Sequence, residues 1–464
     1  MMLDRPLKID PKKLEAYIRK DRKRFEEILG RFVEIPSVSM DPGRRRDIHH
    51  MAEEAVKTLR EMGAVGRRIG TRGNPVIFGR FSVNPRYPTV TLYNHLDVQP
   101  ADEPEWLRPP FQFEIQGERY LGRGATDDKG PAITALLAAR YAVENKIPLN
   151  IQFIWELEEE IGSPHFGEFI RKTRRDCRTD SILVSDTIWL AKGRPAIPYG
   201  LRGLVSARLV LETGQKEAHS GLTGGAARNP IAELCQVIAV CHDAKTGRVK
   251  VPGFYDDLLR ADRQEMRGFA ESGFSVGRFR KAHGLRRLRS NDRIEVMRRI
   301  WTEPTFEVHG ISGGYQGPGV KTAIPPWAEA KISMRLVPNQ DPQKIISRLR
   351  RFVKKVNPDV RVFPEGCLEP YLGPSDGPYA QAAREAVRYA FEREPVLVRE
   401  GGAIGAVVSM KRTLKAPIVF IGLSLPEHGY HAPNEYFDWG QAAGGVKAFV
   451  RYFSRIAEIP KEGH

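Results

Sequence analysis

Apolar residues in the first 190 positions recur with two different spacings. Leu14, Ile18, Phe25 and Phe32 are separated by four or seven positions, which predicts a helix with one apolar face. Shorter apolar runs predict strands, and an Ala-rich stretch from Pro131 predicts another helix, because proline suits a first helical turn. The predicted strands cover residues 74–81, 89–98, 149–157 and 181–186, and the predicted helices cover residues 12–33, 45–62 and 131–144. Strands that alternate with helices favour an α/β sheet covered on both faces.

The pattern changes from about Gly203. The stretches "LVSARLVLET", "TFEVHGI", "WAEAKISMRLVP" and "DVRVFPEG" predict strands, and "NPIAELCQVIAVCHDA" and the segment opened by Asp341 predict helices. Their order is strand-helix-strand-strand-helix-strand, which is the split ferredoxin-like pattern. The strand "PIVFIGL" and a helix from about Gly440 then resume the alternation of strands and helices seen in the first part of the chain. We therefore expect an α/β domain, residues 1–202 and 380–464, interrupted by an α+β domain, residues 203–379.

Composition agrees with a soluble protein of two domains. The chain has 464 residues, of which 41% are hydrophobic and 28% are charged. No apolar run approaches the roughly 20 residues that a membrane helix needs. The N-terminal residues lack the apolar core of a secretory signal, and the four cysteines form no paired motif. We expect a cytoplasmic protein with no membrane partner.

The formal net charge of +16 has two interpretations. Basic runs at residues 19–24, 44–46 and 278–289 are compatible with nucleic-acid binding. They carry no nucleic-acid motif and little aromatic interleaving, so solvated surface, or attraction for anionic substrates, is the preferred interpretation. We expect no nucleic-acid partner.

Histidines and carboxylates follow several of the apolar runs. They are His95 and Asp97, Asp127 and Asp128, Glu158, Glu159 and Glu160, Asp186, and His428 and His431. In an open α/β sheet, strand ends line the ligand crevice. Taken singly, each has a structural explanation, such as a helix cap or a solvated face. Together they would repel one another unless a cation neutralised them, and a mixed N/O donor set suits Zn²⁺, Mn²⁺ or Co²⁺.

Ten short motifs occur in the order and spacing of a known family. They are "HLDVQPA", "GRGATDDKGP", "EEEIGS", "SDTIWL", "GLRGL", "AHSG", "KTAIP", "RLVP", "REGGAI" and "HAPNE". The chain resembles the co-catalytic metallopeptidases that include carnosinase and cytosolic nonspecific dipeptidase, with carboxypeptidase G, aminoacylase and succinyl-diaminopimelate desuccinylase as related members. The resemblance implies a zinc-peptidase-like α/β domain and an inserted ferredoxin-like domain that serves as lid and dimerisation module of a homodimer.

The resemblance also implies a site for two divalent ions per subunit, Zn²⁺ or Mn²⁺, with Co²⁺ effective in vitro. The metal ligands by motif match are His95, Asp127, Glu160, Asp186 and His431. Asp127 bridges the two ions. His428 competes with His431 for one position, and the "HAPNE" match favours His431. Asp128 is expected to cap the following helix.

The family has two consecutive glutamates, one variable residue and then Gly-Ser. Aligning this pattern with "EEIGS" of the present chain assigns a different role to each glutamate. Glu159 becomes the general base, which takes a proton from the attacking water and passes it to the leaving amine. Glu160 becomes the metal ligand, and Glu158 is left with a solvated or supporting role. Asp97 is expected to orient the His95 imidazole from outside the ligand set.

Substrate contacts implied by the resemblance lie mainly in the inserted domain. His219 matches a histidine that reaches the partner subunit's site and polarises the scissile carbonyl. Arg335 matches an arginine that holds the substrate carboxylate, a bidentate task that suits a guanidinium. Thr322, Gly401 and Gly402 would line the rest of the pocket. Ala403 stands where carnosinase-like members have serine, so a hydroxyl contact is lost and carnosine itself becomes a doubtful substrate.

Three functions are compatible with the sequence. An aspartate at the position of Asp186 goes with dipeptidases and aminopeptidases in that family, whereas carboxypeptidases and deacylases have glutamate. We expect a dipeptidase that requires a free C-terminal carboxylate. The alternatives are a deacylase of N-acyl amino acids and an inactive scaffold whose basic segment, Arg278 to Arg299, binds nucleic acid or an acidic protein. The intact ligand and base positions weigh against the scaffold.

Overall fold

The computed structural model describes residues 9–460, so the ends of the expected α/β domain, residues 1–8 and 461–464, lie outside it. The helices are α1 Pro11–Val33, α2 Arg45–Glu61, α3 Gly130–Glu144, α4 Phe166–Lys172, α5 Ser220–Thr223, α6 Pro230–Cys241, α7 Arg263–Glu271, α8 Val276–Ala282, α9 Arg293–Trp301, α10 Pro342–Val356, α11 Pro378–Phe391, α12 Gly405–Leu414 and α13 Trp439–Ile456. The strands are β1 Val65–Ile69, β2 Val76–Phe81, β3 Thr89–His95, β4 Glu114–Gln116, β5 Arg119–Leu121, β6 Asn150–Glu156, β7 Ser181–Val184, β8 Ala196–Leu201, β9 Gly203–Glu212, β10 Ala218–His219, β11 Glu307–Gly313, β12 Ala323–Ile324, β13 Trp327–Leu336, β14 Arg361–Leu368, β15 Tyr371–Leu372, β16 Val396–Glu400, β17 Ile418–Phe420 and β18 Tyr436–Asp438.

A six-stranded sheet in the order β1-β2-β6-β3-β7-β17 forms the centre of the α/β part. Strands β6, β3, β7 and β17 are parallel, and β2 and β1 extend the sheet antiparallel on one side. Successive residues point to opposite faces and are buried in different cores: Phe153 packs with the helices of one face, and Ile154 packs with those of the other. The predicted α/β sheet covered on both faces is confirmed.

The helices on each face come from distant parts of the chain. On one face, α3 and α13 pack together with α1 and α11, and on the other α4 packs with α12. Helix α1 begins where predicted because Asp10 caps it and Pro11 occupies its first turn. Among the described residues, no helix has both the length and the apolar character needed to cross a bilayer.

A second sheet has the order β11-β13-β9-β14 and is antiparallel throughout. Helices α6 and α10 pack on it and form a separate apolar core, to which Leu209, Leu234 and Leu349 belong. The order of these strands and helices along the chain is the predicted split ferredoxin-like pattern.

Three helices in the basic part of the second region were not predicted. Helices α7, α8 and α9 occupy a stretch that has too few regularly spaced apolar residues for a clear helical signal. Their apolar side chains pack against Ala196 of β8 and Val398 of β16 rather than in the core of the second sheet. They therefore join the second region to a small sheet of order β15-β8-β16.

Candidate metal centre and active-site cleft

The candidate site lies at the carboxyl ends of three neighbouring parallel strands. His95 ends β3 and is paired with Glu156, the last residue of β6. Asp186 follows β7, which lies on the other side of β3. The apolar residues of these strands must be buried between two helix layers, so the first polar residues beyond them emerge together at one edge.

Asp127 lies between the two histidines that the motifs single out. Its Oδ1 is 2.9 Å from Nε2 of His95, and its Oδ2 is 2.9 Å from Nε2 of His431. One buried carboxylate thus presents a different oxygen to each imidazole. This is the arrangement that a bridging ligand requires.

The donor atoms form two groups. His95, Glu159 and Asp186 have ligand atoms within 4.8 Å of one another, and so do Asp127, Glu160 and His431. The second group contains the expected ligands of one ion. In the first, Glu159, the expected base, stands close to the expected ligands His95 and Asp186.

Electrostatics indicate that these residues fit a pair of cations. Burial raises the pKa of Glu159 well above its usual range, and it also raises the pKa values of Glu160 and Asp186. Burial alone would lower the pKa of His431, but hydrogen bonds to Asp127 and Glu160 raise it to about 11. Without cations, protons must therefore neutralise the cluster. Divalent ions would take that role with an N/O donor set that suits zinc or manganese.

Asp97 lies beside His95 but acts on the glutamates. Its backbone oxygen is 3.0 Å from Nδ1 of His95, whereas its Oδ1 is 3.5 Å away. The carboxylate accepts the backbone N–H groups of Glu159 at 3.2 Å and Glu160 at 3.1 Å. The orienting contact to the imidazole thus comes mainly from the backbone, and the side chain positions the two neighbouring glutamates.

Glu158 is not solvated, contrary to one of the two roles expected for it. The side chain is buried and accepts hydrogen bonds from the backbone N–H groups of Asn74 at 2.7 Å and His165 at 3.2 Å. It anchors the loop that carries Glu159 to two other segments. The run of acidic residues suggested an exposed face, but these N–H donors are 84 and 7 residues away along the chain.

Asp128 does not cap helix α3, so that expectation is wrong. The residue has a non-helical backbone, and α3 begins without a side-chain cap. Its carboxylate instead accepts a hydrogen bond from Nδ2 of Asn94 at 2.7 Å. The aspartate therefore ties the loop before α3 to strand β3.

His428 is a buried structural residue. Its Nδ1 is 2.9 Å from Oγ1 of Thr126, and its Nε2 is 3.2 Å from Oδ2 of Asp438. Both ring nitrogens are thus engaged outside the metal groups, whereas His431 lies on Asp127. The geometry favours His431 over His428, as the motif match does.

Three residues beside the ligands were not identified from the sequence. Glu435 is fully buried and accepts hydrogen bonds from Nη1 of Arg123 at 3.0 Å and from the backbone N–H of Thr126 at 2.9 Å. Tyr430 donates its hydroxyl to Asp186, and Gln99 donates its amide to Glu160 at 2.7 Å. The last letter of "HAPNE" was the available signal for Glu435.

The predicted substrate residues fall into two places. His219 ends β10 and is paired with Ala323 of β12, and Thr322, just before β12, accepts the backbone N–H of Ser220 at 3.0 Å through its backbone oxygen. The His219 ring accepts the N–H of Gly221 at 3.0 Å and is exposed. No hydrogen bond among residues 9–460 links either side chain to the metal groups.

Arg335 on β13 lies within electrostatic reach of Glu159, and the glycine pair lies just beyond β16. Burial lowers the pKa of Arg335, and the carboxylate of Glu159 is close enough to raise it. Gly401 and Gly402 follow β16, and the Gly402 oxygen accepts the backbone N–H of Arg202 at 2.9 Å.

Comparisons with known proteins agree with this geometry. The family model described as peptidase family M20/M25/M40 matches residues 91–455. A Beta-Ala-His dipeptidase from Homo sapiens is 30% identical over 96% of this chain and 93% of its own length. The Cys-Gly metallodipeptidase dug1 from Schizosaccharomyces pombe is 29% identical over 98% of this chain and 100% of its own.

Solved structures show the same fold. An M20 family metallo-carboxypeptidase from Sulfolobus solfataricus superposes with a TM-score of 0.86 and 30% identity, over 93% of this chain and 98% of its own. The fold, the side chains at the strand ends and the family model therefore all indicate the same peptidase family. The chain belongs to peptidase family M20/M25/M40, and the reaction that this site serves is the hydrolysis of a peptide bond.

Proposed function

We propose that the protein is a two-metal dipeptidase that cleaves unblocked dipeptides with a free C-terminal carboxylate. The observation that carries the proposal is Asp127, whose two oxygens face His95 and His431 at 2.9 Å each, with Glu159 beside the first group. The relatives named Beta-Ala-His dipeptidase and Cys-Gly metallodipeptidase support the substrate class.

The roles of the residues follow from their positions. The metal ligands would be His95, Asp127, Glu160, Asp186 and His431. Two divalent ions held there would supply Lewis acidity to the scissile carbonyl and favour a nucleophilic water. Glu159 takes the proton of that water and delivers it to the leaving amine, a role supported by its place beside His95 and Asp186. Arg335 receives the C-terminal carboxylate.

Glu400 is the residue that favours a free amine at the other end of the substrate. Its Oε2 is buried and has no hydrogen-bond partner among the described residues. Burial and, to a smaller extent, the nearby Asp186 together raise the pKa of Glu400 to about 8, against the opposing effect of the Ile188 N–H. The ammonium group of a dipeptide would supply the missing donor and a compensating charge. The motif "REGGAI" contained this residue, but the sequence offered no reason to select it.

The same observation weighs against deacylation of N-acyl amino acids. An acyl group brings no cation to Glu400, so the buried oxygen would remain unpaired at a cost of about 1–3 kcal/mol. An inactive scaffold is disfavoured because every expected ligand and the base lie together at the strand ends.

Several finer features belong to the same proposal. The physiological metal is Zn²⁺ or Mn²⁺, with Co²⁺ active in vitro, and the protein is cytoplasmic. Residues 203–379 act as lid and dimerisation module of a homodimer, in which His219 and Thr322 are supplied to the partner's cleft. The exposure of both side chains supports this, because it leaves them free to contact a second subunit. Gly401 and Gly402 offer backbone contacts, which Ala403 does not supplement with a hydroxyl.

The test is turnover by chelator-stripped protein that is remetallated separately with Zn²⁺, Mn²⁺ and Co²⁺. The substrates are free dipeptides, the matching N-acetyl amino acids and tripeptides, with Glu159→Ala as control. Metal-dependent cleavage of dipeptides alone, absent in the control, is the expected result. A preference for acetylated substrates would move the protein to the deacylases, and no turnover with any metal would support the scaffold.

A further inference from the structure

Helices α7 to α9 pack beside the strand that carries Glu400. Phe269 of α7 and Met297 and Trp301 of α9 share one apolar cluster with Val398 of β16. Helix α7 has its polar residues outward, except at one position where a carboxylate points to β16. That residue is Glu265.

Glu265 holds the buried guanidinium of Arg399, the residue immediately before Glu400. Its Oε1 accepts from Arg399 Nε at 3.0 Å and Nη2 at 2.6 Å. The same oxygen accepts the hydroxyl of Tyr199, on the neighbouring strand β8, at 2.5 Å. Only 3% of the Arg399 side chain is exposed, so the arginine depends on this carboxylate for charge compensation.

The second oxygen of Glu265 fixes the helix itself. Oε2 accepts the backbone N–H of Asp262, while Asp262 accepts the N–H of Glu265, which closes a capping box at the start of α7. One side chain therefore connects the beginning of α7 to both β16 and β8. A rigid connection of this kind transmits the position of the helix to the strand.

The far end of the helical segment meets the same loop. The backbone oxygen of Arg299 accepts a hydrogen bond from the guanidinium of Arg202, and the backbone N–H of Arg202 donates to the Gly402 oxygen at 2.9 Å. A Cβ placed on Gly401 would lie 3.6 Å from the oxygen of Ile300. The segment α7–α9 thus binds Arg399, directly before Glu400, and reaches Gly402 through Arg202.

We infer that the Glu265–Arg399 pair is a positioning device for Glu400 and the glycine loop, and thereby sets the affinity for the amino end of the substrate. Glu265 contacts no reacting atom; it acts through Arg399. The inference rests on the proposed dipeptidase function, because it assigns the amine to Glu400.

The experiment compares Glu265→Gln with the wild type, both as full-length, metal-loaded protein. Glutamine keeps the size and one acceptor oxygen but removes the charge that compensates Arg399. We expect KM for a dipeptide to rise about tenfold while kcat changes less than about threefold. The inhibition constant of the des-amino analogue, which lacks the amine but keeps the carboxylate and amide, should stay unchanged.

Glu385→Gln is the matched control. Glu385 on α11 also binds guanidinium groups, those of Arg451 and Arg455, and is 24% exposed against 21% for Glu265. Glu385 lies in the helix layer on one face of the central sheet. The substitution Glu385→Gln should therefore lower thermal stability and leave KM unchanged.

Three results would overturn the inference: an unchanged KM in Glu265→Gln, an equal rise in KM and in the des-amino inhibition constant, or the same KM shift in Glu385→Gln. If Glu265→Gln does not fold, Tyr199→Phe removes one donor from the same oxygen and should raise KM two- to threefold, by the modest worth of one hydrogen bond. Inactivity of the wild type on every dipeptide would instead contradict the proposed function.

Discussion

The carboxylate of Asp97 accepts the backbone N–H of Glu159 at 3.2 Å, and its backbone oxygen lies 3.0 Å from the His95 ring. A single residue therefore contacts both the imidazole proposed as a metal ligand and the glutamate proposed as the general base. Asp97→Ala keeps the backbone oxygen at His95 but removes the acceptor of the Glu159 and Glu160 N–H groups, so it should displace both the proposed base and the proposed ligand Glu160. We expect kcat to fall by about 10²-fold and metal affinity by 10- to 100-fold, the usual effect of losing a residue that supports a metal ligand. Asp97→Asn, which keeps one acceptor oxygen, should lose less of both, and calorimetric metal titration beside kinetics would check this.

The neighbouring glutamates Glu158 and Glu159 should respond to substitution in opposite ways. Glu159→Gln removes the proton acceptor and should lower kcat by at least about 10³-fold with little change in folding stability. Glu158→Gln weakens hydrogen bonds to Asn74 and His165 and should cost about 1–3 kcal/mol of stability while kcat stays within a few-fold. Thermal unfolding and steady-state kinetics of both variants would test the assignment. If Glu158→Gln instead lowered kcat and Glu159→Gln lowered stability, the alignment with the family pattern would be wrong by one residue.

Glu156 predicts a pH dependence of stability. The carboxyl is buried among Tyr93 and Ser163, and burial raises its pKa from 4.5 to about 8. Because the folded-state pKa lies above the unfolded one, its contribution is complete below pH 4.5 and is lost as pH rises through 8. Glu156→Gln mimics the protonated form, so the variant should lose less stability than the wild type between these pH values. Denaturant unfolding at several pH values would show the two curves separating; parallel curves would contradict the prediction.

Removal of the metals should destabilise the fold as well as abolish turnover. Four carboxylates surround His95 and His431, and only protons can neutralise them once the cations are gone. Adding Zn²⁺ or Mn²⁺ at 100 times the dissociation constant should raise stability by about 2.7 kcal/mol per independent site. Asp127→Asn should weaken the response to both ions because its oxygens face both groups. His428→Asn should lower the free energy of unfolding, but added metal should still stabilise this variant as much as it stabilises the wild type.

Glu400 is expected to distinguish free from blocked substrates. Glu400→Gln keeps the shape of the side chain and removes the charge that would meet an ammonium group. KM for dipeptides should rise about tenfold or more, since a charge-assisted contact of 1.5–3 kcal/mol is lost. Inhibition by the des-amino analogue should be unchanged or slightly stronger. Equal weakening of both ligands would show that the amine binds elsewhere.

The local pattern of the chain was sufficient to predict much of the α/β sheet and the split ferredoxin-like order. Apolar spacing is a property of each segment by itself, and burial between two layers requires that spacing. The chemistry at the strand ends was predictable for a similar reason. His95, Glu160 and Asp186 follow apolar runs directly, and parallel strands align their carboxyl ends.

The tertiary structure alone decided which partner each side chain meets. Glu158 is buried because Asn74, 84 positions away, donates to it, and Asp128 binds Asn94 rather than capping the helix next to it. Glu435 reaches Arg123 across 312 positions, and α7 attaches to β16 through Glu265 and Arg399, 134 positions apart. Such pairings depend on how helices and strands pack against one another in the folded chain. The local spacing of apolar residues therefore cannot predict them. The sequence by itself determined much of the two sheets and the residue types at the strand ends, because both depend on local spacing, and packing between distant elements determined the contacts that hold those side chains in place.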